Sequence, residues 1–403
     1  MKRFTLALVF AILGLFALLA AGCGGGGAKN DEIVLGVYGS LTGGEATFGQ
    51  STQNGVAVAI EQLTAEHQGK IGGLPVRMVS EDDQSKAEEA VNAVQKLINQ
   101  DRVVALIGEV ASSRSMAAAP VAQSNGVPMI SPSSTNPEVT KKGDYIFRTC
   151  FLDDFQGRCM ARFTADTLKL KKVAVLKDVK SDYSVGLAKF FTDEFVNRGG
   201  TVLVEQSYSS GDQDFRAQLT KIKAKAPEAI IVPGYYTEAG LIVRQARELG
   251  LTMPVIGGDG WESSKLIEIG GEAMNGCYYT NHWSLDEQRP SLQAFLTRYR
   301  AKFNGDPDAI GGLAYDAANI LIQAMTKLAT DDPKTFAALG SSKAGTDDRK
   351  AATKKIRDLI AATSNYDGVT GNITLDANRD ATKPAVVIAI KGGKKVYDCT
   401  INP

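Results

Sequence analysis

The chain has 403 residues, 44% of them hydrophobic, and carries 45 Lys plus Arg against 45 Asp plus Glu. That length buries one large core or two ordinary ones, and two is the better expectation. A balanced charge creates no field that would draw the chain to nucleic acid or to an acidic surface, and nucleic acid is excluded as a partner.

Lys2 and Arg3 precede an uninterrupted apolar run, Phe4 to Ala21, and Ala20-Ala21-Gly22-Cys23 puts small residues ahead of a cysteine. This resembles a bacterial lipoprotein signal, which is cut before a cysteine that receives a lipid. The resemblance implies a signal peptide over 1–23 with a lipid on Cys23, although Ala20 stands where leucine is usual. Gly24 to Gly27 then read as the start of a flexible tether over 24–31. An uncleaved membrane helix is the alternative, since the run is about long enough to span. Either reading puts the bulk of the chain outside the cytoplasm, where Cys150, Cys159, Cys277 and Cys399 could pair in three ways. None of them has metal-ligand spacing, and His67 and His282 are far apart in sequence, so no metal and no cofactor are expected.

From Ile33 strands and helices alternate. Ile33 to Tyr38 reads as a strand, and Gly39-Ser40-Leu41-Thr42-Gly43-Gly44 as a turn into a helix from Phe48 to Glu66. Glu45 follows the last glycine where a phosphate loop needs lysine, so the turn is a backbone turn at the mouth of a cleft. Pro75 to Ser80 is a strand, Lys86 to Gln100 an amphipathic helix, and Val103 to Ile107 a third strand ending at Gly108. Ser112 and Ser113 then fall where an N-cap belongs, so that hydroxyls and free amides can converge on an anion such as a carboxylate. Val127 to Ser131 is a fourth strand, and Ser131 to Glu138 a second hydroxyl-rich loop. Ligands of open α/β sheets sit outside the carboxyl ends of the strands, so two neighbouring strands would present Ser112 and Thr135 to one crevice.

Tyr145 to Cys150 is extended, and the alternation then restarts. Strands are expected at 173–176, 201–205, 229–232 and 255–256, with helices at 186–197, 215–224 and 239–249 between them. Tyr278 to Asn281 reads as extended, 291–303 and 311–328 as helices, and 330–350 as a polar loop broken by a short helix. Lys354 to Ala362 is helical, and 370–375 and 385–390 are strands.

Ile33 to Thr42, Glu81-Asp82-Asp83, the two hydroxyl loops, Phe147-Arg148-Thr149, Gly234-Tyr235-Tyr236 and Leu313-Ala314-Tyr315-Asp316-Ala317 follow one another in an order that resembles the leucine/isoleucine/valine-binding proteins. That resemblance runs from Ile33 to about Ile390. It implies an α/β type I periplasmic-binding fold, two doubly wound lobes joined by a three-strand hinge, serving an ABC importer. The crossovers are expected near Cys150, near Cys277 and between Lys350 and Val369, so that 32–150 plus 278–352 form the first lobe and 151–277 plus 353–403 the second.

Carried over, the resemblance has Ser112 and Thr135, with loop amides, hold the α-carboxylate of a free amino acid. The Ser133 carbonyl and Asp259 hold its ammonium. Phe48, Tyr183, Tyr235 and Trp261 wall the pocket, with Ala111 and Gly260 among the contacts. Asp259 stands where these receptors often carry glutamate, and Ser85 and Ala111 stand where some carry a disulfide. Leucine, isoleucine and valine come first as ligands, ahead of aromatic amino acids or small amides. The implied partners are permease subunits and, through the lipid, a membrane, with the receptor itself a monomer.

An enzyme would need an activated nucleophile or an acid and base pair, and no GxSxG or HExxH is present. Asp82 and Asp83, adjacent in an extended segment, point to opposite faces and suit structural roles. A sensor module on the same fold would bring a second membrane segment or a signalling domain, and neither is legible.

Overall fold

The computed structural model describes residues 31–341 and 345–402. The expected signal peptide over 1–23, Cys23 and tether residues 24–30 lie outside the described residues.

Unbroken apolar runs become strands covered on both faces. β1 (Ile33–Gly39) is buried along its length and leads into α1 (Ala46–His67). β2 (Lys70–Ile71) turns back into β3 (Leu74–Asp82), which lies parallel to β1. α2 (Ala87–Asn99), β4 (Ala105–Ile107), α3 (Ser112–Asn125), β5 (Met129–Ser131) and β6 (Ile146–Arg148) complete a six-stranded sheet ordered β2-β3-β1-β4-β5-β6. α2 seats Ala90, Val94 and Leu97 against Val34 and Leu106, and burying its larger aliphatic side chains stabilises the layer by roughly 1.5–3 kcal/mol each.

The second lobe opens with α4 (Asp153–Arg162), in a stretch without a sequence-level assignment. β7 (Lys172–Asp178), α5 (Asp182–Asn197), β8 (Thr201–Tyr208), α6 (Arg216–Lys223), β9 (Ala229–Val232), α7 (Tyr236–Glu248), β10 (Val255–Gly257), α8 (Ser264–Gly270) and β11 (Tyr278–Asn281) follow. The chain then returns to the first lobe as α9 (Pro290–Phe303), α10 (Ala309–Asp331), α11 (Pro333–Gly340), α12 (Thr346–Ala361) and a small hairpin, β12 (Tyr366–Gly368) with β13 (Gly371–Ile373). Finally β14 (Ala385–Lys391) and β15 (Lys394–Ile401) join the second sheet antiparallel, giving the order β15-β14-β11-β10-β9-β7-β8. β15 is an edge strand, and its lysines and half-exposed pattern suit that place.

Two of the boundaries drawn from the sequence move. β11 pairs with β10 and β14, so 278–281 belongs to the second sheet and the chain crosses at His282 and Trp283 rather than at Cys277. Ile356, Ile360, Val369, Ile373 and Ala381 are buried in the core of the first lobe, so the last crossing comes after Ala381 rather than between 350 and 369. Short apolar segments fit either core, and sequence order does not say which. The stretch 330–350 is also more helical than expected, since α10 ends at Asp331 and α12 begins at Thr346.

All four remaining cysteines are free: Cys150, Cys159 and Cys277 are buried and Cys399 is half-buried. Among the described residues no helix is long and apolar enough to cross a membrane, and no group of three or more His, Cys, Asp or Glu is placed to hold a metal ion.

Candidate functional site

Each sheet reverses its strand order once. β1 lies between β3 and β4, and β7 lies between β8 and β9. Loops leaving the carboxyl ends of strands at such a point part to opposite faces and leave a crevice. Phe48 follows β1, Ala111 and Ser112 follow β4, Tyr183 follows β7 and Tyr235 follows β9. β5 and β10 add Ser133 with Thr135 and Asp259 with Gly260.

The hydroxyl loops of the first lobe are tied into one unit. Gly108 has φ +139° and an added Cβ would sit 2.1 Å from the Tyr38 carbonyl oxygen, so only glycine turns the chain there. The Asn136 amide donates to Ser112 Oγ at 3.2 Å, and Ser134 Oγ donates to the Val110 carbonyl at 3.0 Å. Arg148, fully buried on β6, donates to the Ser134 and Asn136 carbonyls at 2.6 and 2.9 Å. Thr135 is buried between them, its Oγ1 near the Asp153 carboxyl but in no well-formed hydrogen bond. The capping role read for Ser112 and Ser113 does not hold. Ala111 is the N-cap residue of α3 and no side chain caps it, while Ser113 Oγ reaches across to Asp182 Oδ2 at 2.8 Å. Helix α3 starts one residue earlier than the hydroxyl pattern suggests, which frees both serines for longer-range partners.

On the opposing lobe Asp259 is buried and meets four donors. Gln156 Nε2 and Tyr183 OH donate to Oδ1 at 2.8 and 2.9 Å. Ser133 Oγ and His282 Nε2 lie 3.3 and 2.9 Å from Oδ2. Ser112, Ser133, Thr135 and Asp259 thus share one interface, and Ser133 touches Asp259 directly. Tyr183 OH also accepts the Gly260 amide at 3.0 Å. A Cβ on Gly260 would come within 2.9 Å of both tyrosine rings, so a bare backbone is required there.

Tyr183 stacks on Tyr235 with centroids 5.2 Å apart, and Phe48 meets Tyr235 edge-on at 5.6 Å. Phe48, Val110, Ala111 and Ile310 of the first lobe are buried in the same apolar cluster as these tyrosines. Trp261 departs from expectation. Its ring folds back over Gly257, and its indole nitrogen donates to the Val232 carbonyl at 3.0 Å, so it is core of the second lobe and not a pocket wall.

Sequence reasoning missed Gln156, His282, Asp153, Val110 and Ile310. His282 directly follows β11, so the carboxyl-end rule that pointed to Ser112 and Thr135 reaches it too. Burial pushes Asp153 well above the usual carboxyl range, and the Asp259 charge adds to this. Burial also lowers His282 below its ordinary value, against the pull of Asp259. Beside the cleft, Arg114 lies 3.2 Å from both Glu45 and Glu109 and 3.8 Å from Asp83. Burial and the Glu109 charge push Asp83 up to about 8. Asp82 accepts the Leu41 and Thr42 amides at 2.9 and 3.1 Å and so pins the glycine turn. Where some receptors carry half of a disulfide, Ser85 Oγ donates to the Thr42 carbonyl at 3.2 Å.

Ser133, His282 and Asp259 are the residue types of a hydrolase triad, but the geometry is wrong. Serine and aspartate both face Nε2, while Nδ1, which the acid of a triad must hold, has no partner.

Residues 32–395 match the family described as periplasmic binding protein. The chain is similar to the leucine-, isoleucine-, valine-, threonine- and alanine-binding protein of Pseudomonas aeruginosa, 34% identical over 80% of this chain and 86% of that one. Among solved structures it is similar to the leucine-binding protein LivK of Thermotoga maritima, with 39% identity and TM-score 0.83 over 92% of this chain and 99% of that one. LivJ of Streptococcus pneumoniae, solved with isoleucine, shares 32% identity at TM-score 0.82, covering 92% of this chain and all of that one, 100%. With two doubly wound lobes facing each other across an acid, a set of hydroxyls and an aromatic box, the chain belongs to the periplasmic binding protein family, as a solute-binding protein and not an enzyme.

Proposed function

We propose that the protein is the extracytoplasmic receptor of an ABC importer, taking a branched-chain or other hydrophobic L-amino acid between its lobes and delivering it to membrane permease subunits. The observation that carries this reading is the opposition of a buried acid on one lobe to buried hydroxyls on the other, with apolar side chains between them. A zwitterion needs donors at one end and acceptors at the other. Ser112, Thr135 and the amides of their loops serve the α-carboxylate, and Asp259 with the Ser133 carbonyl serves the α-ammonium. Phe48, Val110, Ala111, Ile310 and Tyr235 receive an aliphatic side chain, with Tyr183 and Gly260 shaping the wall behind. The names of the relatives point the same way.

Micromolar affinity needs about 8 kcal/mol net. Two charged ends plus one buried aliphatic side chain, worth roughly 1.5–3 kcal/mol, can supply that after ordering costs. The receptor works as a monomer in the cell envelope, at the outer face of the cytoplasmic membrane or in the periplasm, anchored by a lipid on Cys23, and the mass of the mature N-terminus tests that anchor. Calorimetric titration with leucine, isoleucine and valine tests the ligand. The expected result is micromolar or tighter binding of at least one, and no heat from any of the three overturns the reading.

A further inference from the structure

A carboxylate offers about four acceptor directions. Those of Asp259 are taken by Gln156 Nε2, Tyr183 OH, Ser133 Oγ and His282 Nε2. An incoming ammonium reaches Asp259 only by taking a donor's place. Ser133 gives way readily, because its hydroxyl rotates and its contact is long, 3.3 Å. His282 does not. It is 3% exposed, its ring stacks on Phe151 at 3.9 Å, and its own amide donates to Asn281 Oδ1 at 2.8 Å. Phe151 lies at the first crossover and His282 at the second, so the imidazole is part of the hinge.

The partners also determine its proton. Nδ1 is buried with no hydrogen-bond partner, whereas Nε2 faces a carboxylate. Neutral imidazole with the proton on Nε2 leaves only a lone pair unsatisfied. Imidazolium would bury an Nδ1–H with no acceptor and set a second positive charge where an ammonium must sit. Asp259 and Glu262 favour that charge, while burial and Lys383 oppose it. Asp153 interacts electrostatically with Asp259.

We propose that His282 is a positioning residue for the solute's cationic end: as a neutral imidazole it holds Asp259 from the hinge, and its protonation and the binding of an amine-bearing solute exclude one another. This rests on the reading of Asp259 as the ammonium acceptor. A group that is protonated in the free receptor and neutral in the closed complex weakens binding as pH falls through its free value, which burial of His282 holds below the ordinary histidine range.

Leucine affinity is measured by calorimetry at about pH 7.5 and about pH 5.5 for the full chain and for His282→Gln, which keeps a neutral donor. The wild-type dissociation constant should rise severalfold between the two, and that of the variant less than about twofold. Parallel slopes overturn the proposal while leaving the reading of Asp259 intact, whereas absence of leucine binding by either protein at both pH values sinks that reading and this proposal with it. Should the variant fail to fold, NMR titration of the wild-type His282 ring with and without leucine decides. Leucine must lower its titration midpoint, and an unchanged midpoint overturns the proposal.

Discussion

Asp259 joins the two lobes, the hinge and the proposed ligand through one carboxylate, so truncating it removes an acceptor and strands the Gln156 amide and the Tyr183 hydroxyl that donate to it. Losing one partner of a buried, charge-assisted contact typically costs about 2–5 kcal/mol. Asp259→Ala should therefore weaken leucine binding at least about thirtyfold in calorimetry, and affinity close to wild type would remove Asp259 from the site. Its candidacy came from the resemblance to the leucine/isoleucine/valine-binding proteins, which places an acid in the loop after this strand. The direction taken by Trp261, two residues on, was not legible in the sequence. Whether that ring faces the cleft or the core depends on the space over Gly257 and on the free Val232 carbonyl, both set by other strands.

The loop after β5 owes its shape to a residue of the next strand. Arg148 is fully buried, donates to two carbonyls of the loop and pairs with Asp380 at 2.6 Å. Thr135 lies between those two carbonyls. Arg148→Met would leave the carbonyls and the Asp380 carboxylate without their cation, and a destabilisation of about 3–5 kcal/mol is expected from urea unfolding. Leucine affinity should fall with it, as Thr135 is no longer held. An unchanged unfolding midpoint would show that the loop holds itself. The Phe147-Arg148-Thr149 motif marked this segment, but its partners, 8 to 232 residues away in the chain, could not be read from local pattern. The same limit explains α4: its residues are polar on average, and its few buried apolar residues divide between two clusters, Phe155 with Cys159 and Met160 with Ala161.

Closure of the whole molecule is supported by direct hydrogen bonds between the lobes. Ser113 Oγ donates to Asp182 Oδ2 at 2.8 Å, Asn136 Nδ2 donates to the Asp182 carbonyl at 2.9 Å, and Thr237 Oγ1 donates to the Gly44 carbonyl at 2.6 Å, each between lobes. A partly exposed hydrogen bond contributes about 0.5–1.5 kcal/mol. Ser113→Ala should shift the population toward the open form, raise the leucine dissociation constant about three- to tenfold and increase the radius of gyration in small-angle scattering. If both measurements stay at wild-type values, closure does not depend on this contact.

The alternation of apolar runs with amphipathic helices, the loops at the carboxyl ends of the strands and the order of the family motifs were all determined by the sequence alone, because each depends on residues within a few turns of one another. They were enough for the α/β class, the two lobes and the family, and through the family resemblance they nominated Ser112, Ser133, Thr135, Asp259, Tyr183, Tyr235 and Phe48 as site candidates. The second and third crossovers, the core position of Trp261 and the hold of His282 on Asp259 were decided by tertiary structure. Each is a choice between partners far apart in the chain, and such choices are made by the space and the unsatisfied polar groups that other elements leave behind.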